Sequence, residues 1–476
     1  MLLACWIPTL ANADLALRNG NIAYAAGKLA DAKLHYQTCL NHNPNRAECA
    51  TNLASVYLDL GQGRTAEKLY RQVLEKKKND PDAAFNLAML LQDRKTQHDT
   101  REAAALYQVA IEQDDSRWDA WANLAAALSE LQNDPLRAIS AYSTAILLIE
   151  QLADEAQDAC VLSQLYYGYG LQLAELSPSM CSQLASRPDS LLVGECANGD
   201  GNGQINICLE NAQNALRTSV VLNPENVQAN HMLAALASDS ARSGSEFGLS
   251  KASSAFVEAL FDDFADTFDD RLVDQLQYVV PELVGDAAAA LKRSLKLEKF
   301  SFTLDAGCGT GLAGPHLRDL TQDRLVGVDI SKEMIARAKK LVQTDNGRKP
   351  VYDSLISLDL LEFEAKLCLP EGEKFDLIIA ADVLVYFGDL ADILLHFSNL
   401  SRPGAGLIFS CERIDDDETH NGWKILQSGR FAQSKEYVVR VAQGAGYKLD
   451  AYEEIVPRME GNRPVPGHLF TLIKKY

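Results

Sequence analysis

The segment Asp305-Ala-Gly307-Cys-Gly309-Thr-Gly311 sets a carboxylate directly before three alternating glycines. Glycine has no Cβ, so such a run admits positive φ and lets a ligand come close to main-chain amides. Within it, Gly309-Thr-Gly311-Leu-Ala-Gly314 fits the G-x-G-x-x-G pattern of dinucleotide sites, a weak signal when taken alone. Asp305 shifts the balance: a pyrophosphate on this loop would face a carboxylate, whereas an ammonium group would be attracted to it. Two more acids follow at comparable places. Asp329 closes an apolar run and is placed to accept both hydroxyls of a ribose. Asp359 follows the next run and is placed to accept from an adenine amino group.

The runs that must position these acids read as strands at Phe302–Ala306, Arg324–Ile330, Tyr352–Leu358, Phe375–Ala380 and Gly406–Cys411. Helical patterns alternate with them, at Lys332–Val342 and Leu390–Leu400, and Ala252–Leu297 reads helical before the first strand. This alternation predicts a mostly parallel, doubly wound α/β sheet that holds its ligand at the carboxyl ends of the strands. The helix after the glycines is expected to begin near Leu312, with its amide end toward the ligand. Each acid also has a plain structural role open to it. Asp305 can cap the next helix, Asp329 can start a turn, and Met334 can pack the core as well as wall an adenine.

Together, Asp305 with its glycines, Val328-Asp-Ile-Ser331-x-x-Met334 and Ala381-Asp-Val-Leu384 resemble the class I methyltransferase family. The resemblance implies a Rossmann-like domain with S-adenosyl-L-methionine as cofactor. Its pocket would comprise Asp305, Gly307, Gly309, Gly311, Asp329, Ile330, Met334, Asp359, Leu360 and Ala381, with Phe264 and Phe268 one helical turn apart as a lid. Asp382 and Tyr386 would lie near the methyl acceptor and are the catalytic candidates. Arg430, Arg458 and Arg463 could bind an acidic substrate bidentately. Segments Phe256–Val273, Ser428–Ala432 and Asn462–Gly467 extend the resemblance to repeat-carrying methyltransferases related to the trans-aconitate type. Methyl transfer from a sulfonium asks the protein for alignment and exclusion of water, and for a base only when the nucleophile arrives protonated.

The N-terminal half repeats. Leu53-Ala54 recurs at Leu87-Ala88, 34 residues on, and again at Leu124-Ala125. Second helices carry Ala32/Tyr36/Cys39, Ala66/Tyr70/Val73, Ala103/Tyr107/Ala110 and Ala138/Tyr142/Ala145, one helix face each. With Pro44, Pro224 and the turn glycines Gly20, Gly27 and Gly61, these residues resemble the tetratricopeptide repeat family. The expected fold is therefore an α-helical repeat superhelix at 13–238, a linker at 239–250 and the α/β domain at 251–476. A loop insertion is expected near 177–206. Asp200–Asn206 has no EF-hand pattern, since Ile205 stands where glycine is needed, so no metal is expected. The asparagines Asn21 and Asn52 read as helix-surface hydrogen bonding, because Phe85, Met89 and Leu90 stand where a carboxylate clamp needs Lys and Arg.

A formal net charge of -20 argues against nucleic acid as a partner, and no apolar run is long enough to span a membrane. The partners expected are a small-molecule or protein methyl acceptor and a protein bound by the repeats. A protein methyltransferase that docks its substrate on the repeats, or a cofactor-binding scaffold without turnover, are the alternatives. The 10 cysteines show no C-x-x-C pair and read as scattered thiols of a reducing, cytoplasmic chain. The apolar start, with no basic residue before Ala13, reads as a lead-in to the first helix, with a truncated targeting segment as the other possibility.

Overall fold

Short connections turn consecutive helices antiparallel in the N-terminal half, and the computed structural model shows the pairs that result. The structure describes residues 7–94, 96–131, 134–152, 158–186, 192, 207–240, 249–265, 276–343, 349–415, 421–426, 428–460 and 463–475. It divides into two units, Met1–Pro224 and Glu225–Tyr476.

In the first unit, helices Leu29–His42, Gly63–Lys76, Gln97–Gln113 and Pro135–Glu150 each bury their Ala/Tyr stripe. Burial of a tyrosine demands a partner for its hydroxyl. The preceding helix supplies it: Tyr36 donates to Asn21 at 2.9 Å, Tyr70 and Ser55 share a bond of 2.9 Å, and Tyr107 donates to Gln92 at 2.9 Å. Asn52 also donates to Asn21, at 3.0 Å, so these asparagines serve the helix surface. Side chains of Asp80, Thr96, Asp134 and Asp158 cap the helices that follow them.

Gly20 is not a turn residue. It lies inside helix Ile7–Ala25, where a Cβ would stand 2.5 Å from the Tyr36 ring. Gly168 makes the same close approach to Tyr142, also at 2.5 Å. Gly168→Ala is therefore expected to cost a net ~1–2 kcal/mol in urea unfolding, because overpacking outweighs the gain in helix propensity. A variant as stable as the parent would show that the ring moves aside freely.

The expected loop at 177–206 begins with a helix instead, Pro178–Ala185, capped by Ser177. Its later part, including Asp200–Asn206, lies outside the described residues. Across the insertion, Ala159–Ala174 pairs with Ile207–Leu222: Ser163 donates to the Ser219 carbonyl at 2.9 Å and Ser219 to the Ser163 carbonyl at 2.7 Å. Two disulfides, Cys39–Cys49 and Cys181–Cys208, correct the reading of the cysteines as separate thiols. Stacking brings the ends of neighbouring helices together, which sequence spacing alone does not reveal.

The second unit is built on a nine-stranded sheet. We number its main strands β1 (Phe300–Ala306), β2 (Thr321–Asp329), β3 (Ser354–Ser357), β4 (Phe375–Ala380), β5 (Ser401–Arg413), β6 (Tyr447–Ile455) and β7 (Gly467–Lys474). Their order is β6-β7-β5-β4-β1-β2-β3, and Trp423–Ile425 and Phe431–Gln433 add a short flap beside β5. β1 through β5 run parallel, while β7 enters antiparallel between β5 and β6. Side chains alternate between the faces. Leu377 and Ile379 pack under helix Val280–Ser294, and Ile378 packs with Ile393, Phe397 and Val438 on the other side. This is the Rossmann-like doubly wound sheet, with β1 and β4 adjacent at the point where the strand order reverses.

The expected continuous helix at Ala252–Leu297 is interrupted. Ser253 caps Ser254–Phe264, and a second helix starts at Val280 with Pro281 in its first turn. Helix Val227–Ser240, which falls almost wholly within the expected repeat span of 13–238, groups with the second unit. There His231 stacks on Phe256 with ring centroids 3.9 Å apart, and its Nε2 donates to the Gly429 carbonyl at 2.8 Å.

Candidate active site

Chain direction changes sharply at the end of β1. Gly307 N and Cys308 N both donate to the Val328 carbonyl, at 2.7 and 3.0 Å, which ties the glycine loop to β2. Gly307, Gly309 and Gly311 all take positive φ, at 71, 53 and 94°. A Cβ at Gly307 would collide with Val383, and one at Gly311 would stand 2.6 Å from Leu341. The helix after the loop starts at Gly314, later than expected, and spans only Gly314–Arg318. No long helix follows the loop, and the amides of Gly307, Cys308, Gly309 and Gly311 all donate to acceptors of the protein, so the glycines give a ligand space and not donors.

Asp329 ends β2 at 8% exposure. Gly309 N donates to its Oδ2 at 2.8 Å and Ser331 N to its Oδ1 at 2.9 Å. Each carboxylate oxygen keeps a second lone pair, so both remain able to accept from a diol. Burial pushes the Asp329 carboxyl above its usual range. Asp359 follows β3, accepts from Leu361 N at 2.9 Å, and is reached by the Ser254 hydroxyl at 2.5 Å.

These groups open on one cavity. Its wall contains Gly307, Gly309, Asp329, Ile330, Asp359, Leu360 and Ala381 from the expected cofactor set. Asp382 and Tyr386 stand on the same wall, as do Arg430 and Arg458. Asp305, Gly311 and Met334 are not on that wall. Met334 is fully buried, and Gly311 sits against Leu341 and Tyr352. The side chains of Phe264 and Arg463, and all of Phe268, lie outside the described residues. Sequence reasoning missed Ser254, Phe261 and Tyr278, which also line the cavity. The cue for them was the aromatic-rich stretch ahead of β1.

Asp305 is 1% exposed and accepts from the Tyr352 hydroxyl at 2.7 Å, which places its carboxyl behind the loop. Burial raises its pKa from 3.8 to about 7, with the Asp329 charge adding to the rise and the tyrosine opposing it. A carboxyl raised on folding stabilises below its unfolded pKa and loses that contribution as pH climbs through the folded value. Stability should accordingly fall from about pH 4 to about pH 7 through this group. Asp305→Asn should flatten that slope in thermal unfolding followed across pH. An unchanged slope would show that Asp305 ionises normally.

A dense ion network closes the far wall. Arg458 is 1% exposed and directs Nη1 to Asp382 at 3.0 Å, Nε to Glu460 at 3.1 Å and Nη2 to Glu412. Arg430 reaches Glu460 at 2.5 Å. Burial pushes the Glu412 carboxyl upward against the pull of both arginines, while Arg430 and Arg458 hold Glu460 low. Asp382 adopts φ 57°, the left-handed region that non-glycine residues rarely occupy, and its amide donates to Ser410 Oγ at 2.8 Å. Strain of this kind clusters where a side chain is held for use.

Residues 304–407 match the family model described as a methyltransferase domain, and residues 23–91 match a tetratricopeptide repeat model. Among curated relatives, nodulation protein S of Rhizobium tropici is 32% identical over 129 residues, covering 26% of this chain and 49% of the relative. A malonyl-[acyl-carrier protein] O-methyltransferase of Magnetococcus marinus is 26% identical over 147 residues, covering 31% and 50%. The chain thus spans about half the length of these relatives. Among solved structures, magnesium protoporphyrin IX methyltransferase of Synechocystis aligns at 18% identity and TM-score 0.34, over 46% of this chain and 99% of that one. The chain therefore carries a segment like a methyltransferase domain and, ahead of it, a segment like tetratricopeptide repeats.

Proposed function

We propose that the chain transfers a methyl group from S-adenosyl-L-methionine to a small-molecule or protein acceptor, with the repeats as a protein-interaction module. One observation carries the reading: a loop of positive-φ glycines and the carboxylates ending β2 and following β3 face a single cavity. The residues fit the cofactor. Gly307 and Gly309 clear space for the amino-acid portion, Asp329 offers two accepting oxygens to the ribose, and Asp359 with Leu360 suits the base. Bound there, the sulfonium supplies an electrophilic methyl group. The protein's own part is to align the acceptor beside Asp382 and Tyr386 and to keep water out.

Calorimetric titration with S-adenosylhomocysteine tests the reading. Binding is expected, and binding of NAD in its place would overturn it. Loss of methyl transfer to a protein acceptor when a repeat-derived surface is blocked would favour substrate docking on the array. No helix of the described residues is long and apolar enough to cross a membrane. The two disulfides favour a compartment that oxidises thiols over the cytoplasm expected from the sequence.

A further inference from the structure

Arg458 spends its guanidinium on three carboxylates, so the cavity wall presents a different charge from the one its two arginines advertise. Among the described residues, two guanidiniums face Asp382, Glu412 and Glu460. An acidic substrate would have to displace these acids from Arg458 or Arg430. Lys251, the other cation on the wall, is exposed. Asp382 shows the opposite need. Its Oδ2 receives Arg458, while its Oδ1 is buried and has no hydrogen-bond partner. A buried carboxylate oxygen left unpaired is costly, and a donor brought by a ligand would relieve that cost.

Aromatic residues elsewhere on the cavity wall suit a cation. Tyr278 and Tyr386 line the same cavity, and Phe261 meets Tyr386 edge-on with centroids 5.5 Å apart. Aromatic faces attract ammonium groups, most strongly where water is excluded. Val257 and Val383 add apolar wall for a carbon chain.

We propose that the methyl acceptor is an amine, delivered as an ammonium to Asp382 Oδ1. The inference rests on the methyltransferase reading and adds the class of acceptor. The ammonium gives one proton to Asp382, and the nitrogen lone pair forms the new carbon–nitrogen bond. The electrons of the broken carbon–sulfur bond stay on sulfur, which departs as the neutral thioether. The product leaves as an N-methylammonium, and the proton on Asp382 passes to solvent.

The test is calorimetry on the full chain saturated with S-adenosylhomocysteine, using hexylammonium and hexanoate as matched probes. Hexylammonium should bind at least about tenfold tighter, and Asp382→Asn should remove that preference while the nucleoside affinity stays within about twofold. Equal or tighter binding of hexanoate overturns the proposal. So does an Asp382→Asn protein that keeps both nucleoside affinity and the amine preference. If that variant does not fold, the preference of the unsubstituted chain decides the matter alone. Failure of the unsubstituted chain to bind S-adenosylhomocysteine is a separate result that overturns the methyltransferase reading, and this proposal with it.

Discussion

Asp329→Ala should raise the Kd for S-adenosylhomocysteine by roughly 30- to 1000-fold, the equivalent of about 2–4 kcal/mol. Two contributions combine. The first is loss of two hydrogen bonds from ribose hydroxyls to a charged acceptor. The second is release of Gly309 N, which at present donates to Asp329 Oδ2 at 2.8 Å and holds the loop in its cradle form. Asp329→Asn separates them: the amide keeps one accepting oxygen and should recover part of the affinity. The measurement is calorimetric titration, with thermal unfolding as a control for the fold. A Kd within twofold of the parent would remove Asp329 from the binding site.

Replacing Arg458 by methionine should destabilise the second unit by about 3–5 kcal/mol. Arg458 is 1% exposed, and its removal strands Asp382 and leaves Glu412 to the longer contact with Arg430 at 3.7 Å. Methionine keeps most of the apolar stem, so the loss reports the uncompensated charges more than a cavity. Adding Glu412→Gln should return a large part of it, because one weakly paired charge is then gone. Urea unfolding followed by the fluorescence of Trp423, the sole tryptophan beyond residue 121, would read this unit. A loss below about 1 kcal/mol would mean that water reaches the network and screens it.

The parts of this protein that follow from local periodicity were legible in the sequence. Tyr36, Tyr70, Tyr107 and Tyr142 repeat on one helix face, and the structure buries all four. Alternation of strands and helices foretold the doubly wound sheet, and Asp329 and Asp359 stand where strand ends were expected to place them. What failed to show was everything decided by long-range packing. Asp305 reads as a ligand group, yet Tyr352, 47 residues away, claims its carboxyl behind the loop. Arg430 and Arg458 read as free cations because Glu412 and Glu460 announce themselves by no motif. Helix Val227–Ser240 carries the look of a repeat helix, and only the stacking of His231 on Phe256 reveals which core it joins. Gly20 shows the same gap on a smaller scale: a glycine within helical spacing of a tyrosine groove cannot be told from a turn glycine by sequence.

In a linear array each repeat leans only on its neighbours, so two pairs part once the interface they share opens. Cys39 ends one helix pair and Cys49 begins the next, and the bond between them forbids that separation. Thiol reduction should therefore speed solvent hydrogen exchange at the amides of Leu29–His42 more than at those of Pro81–Gln92, because the seam that the bond fastens is the one that loosens.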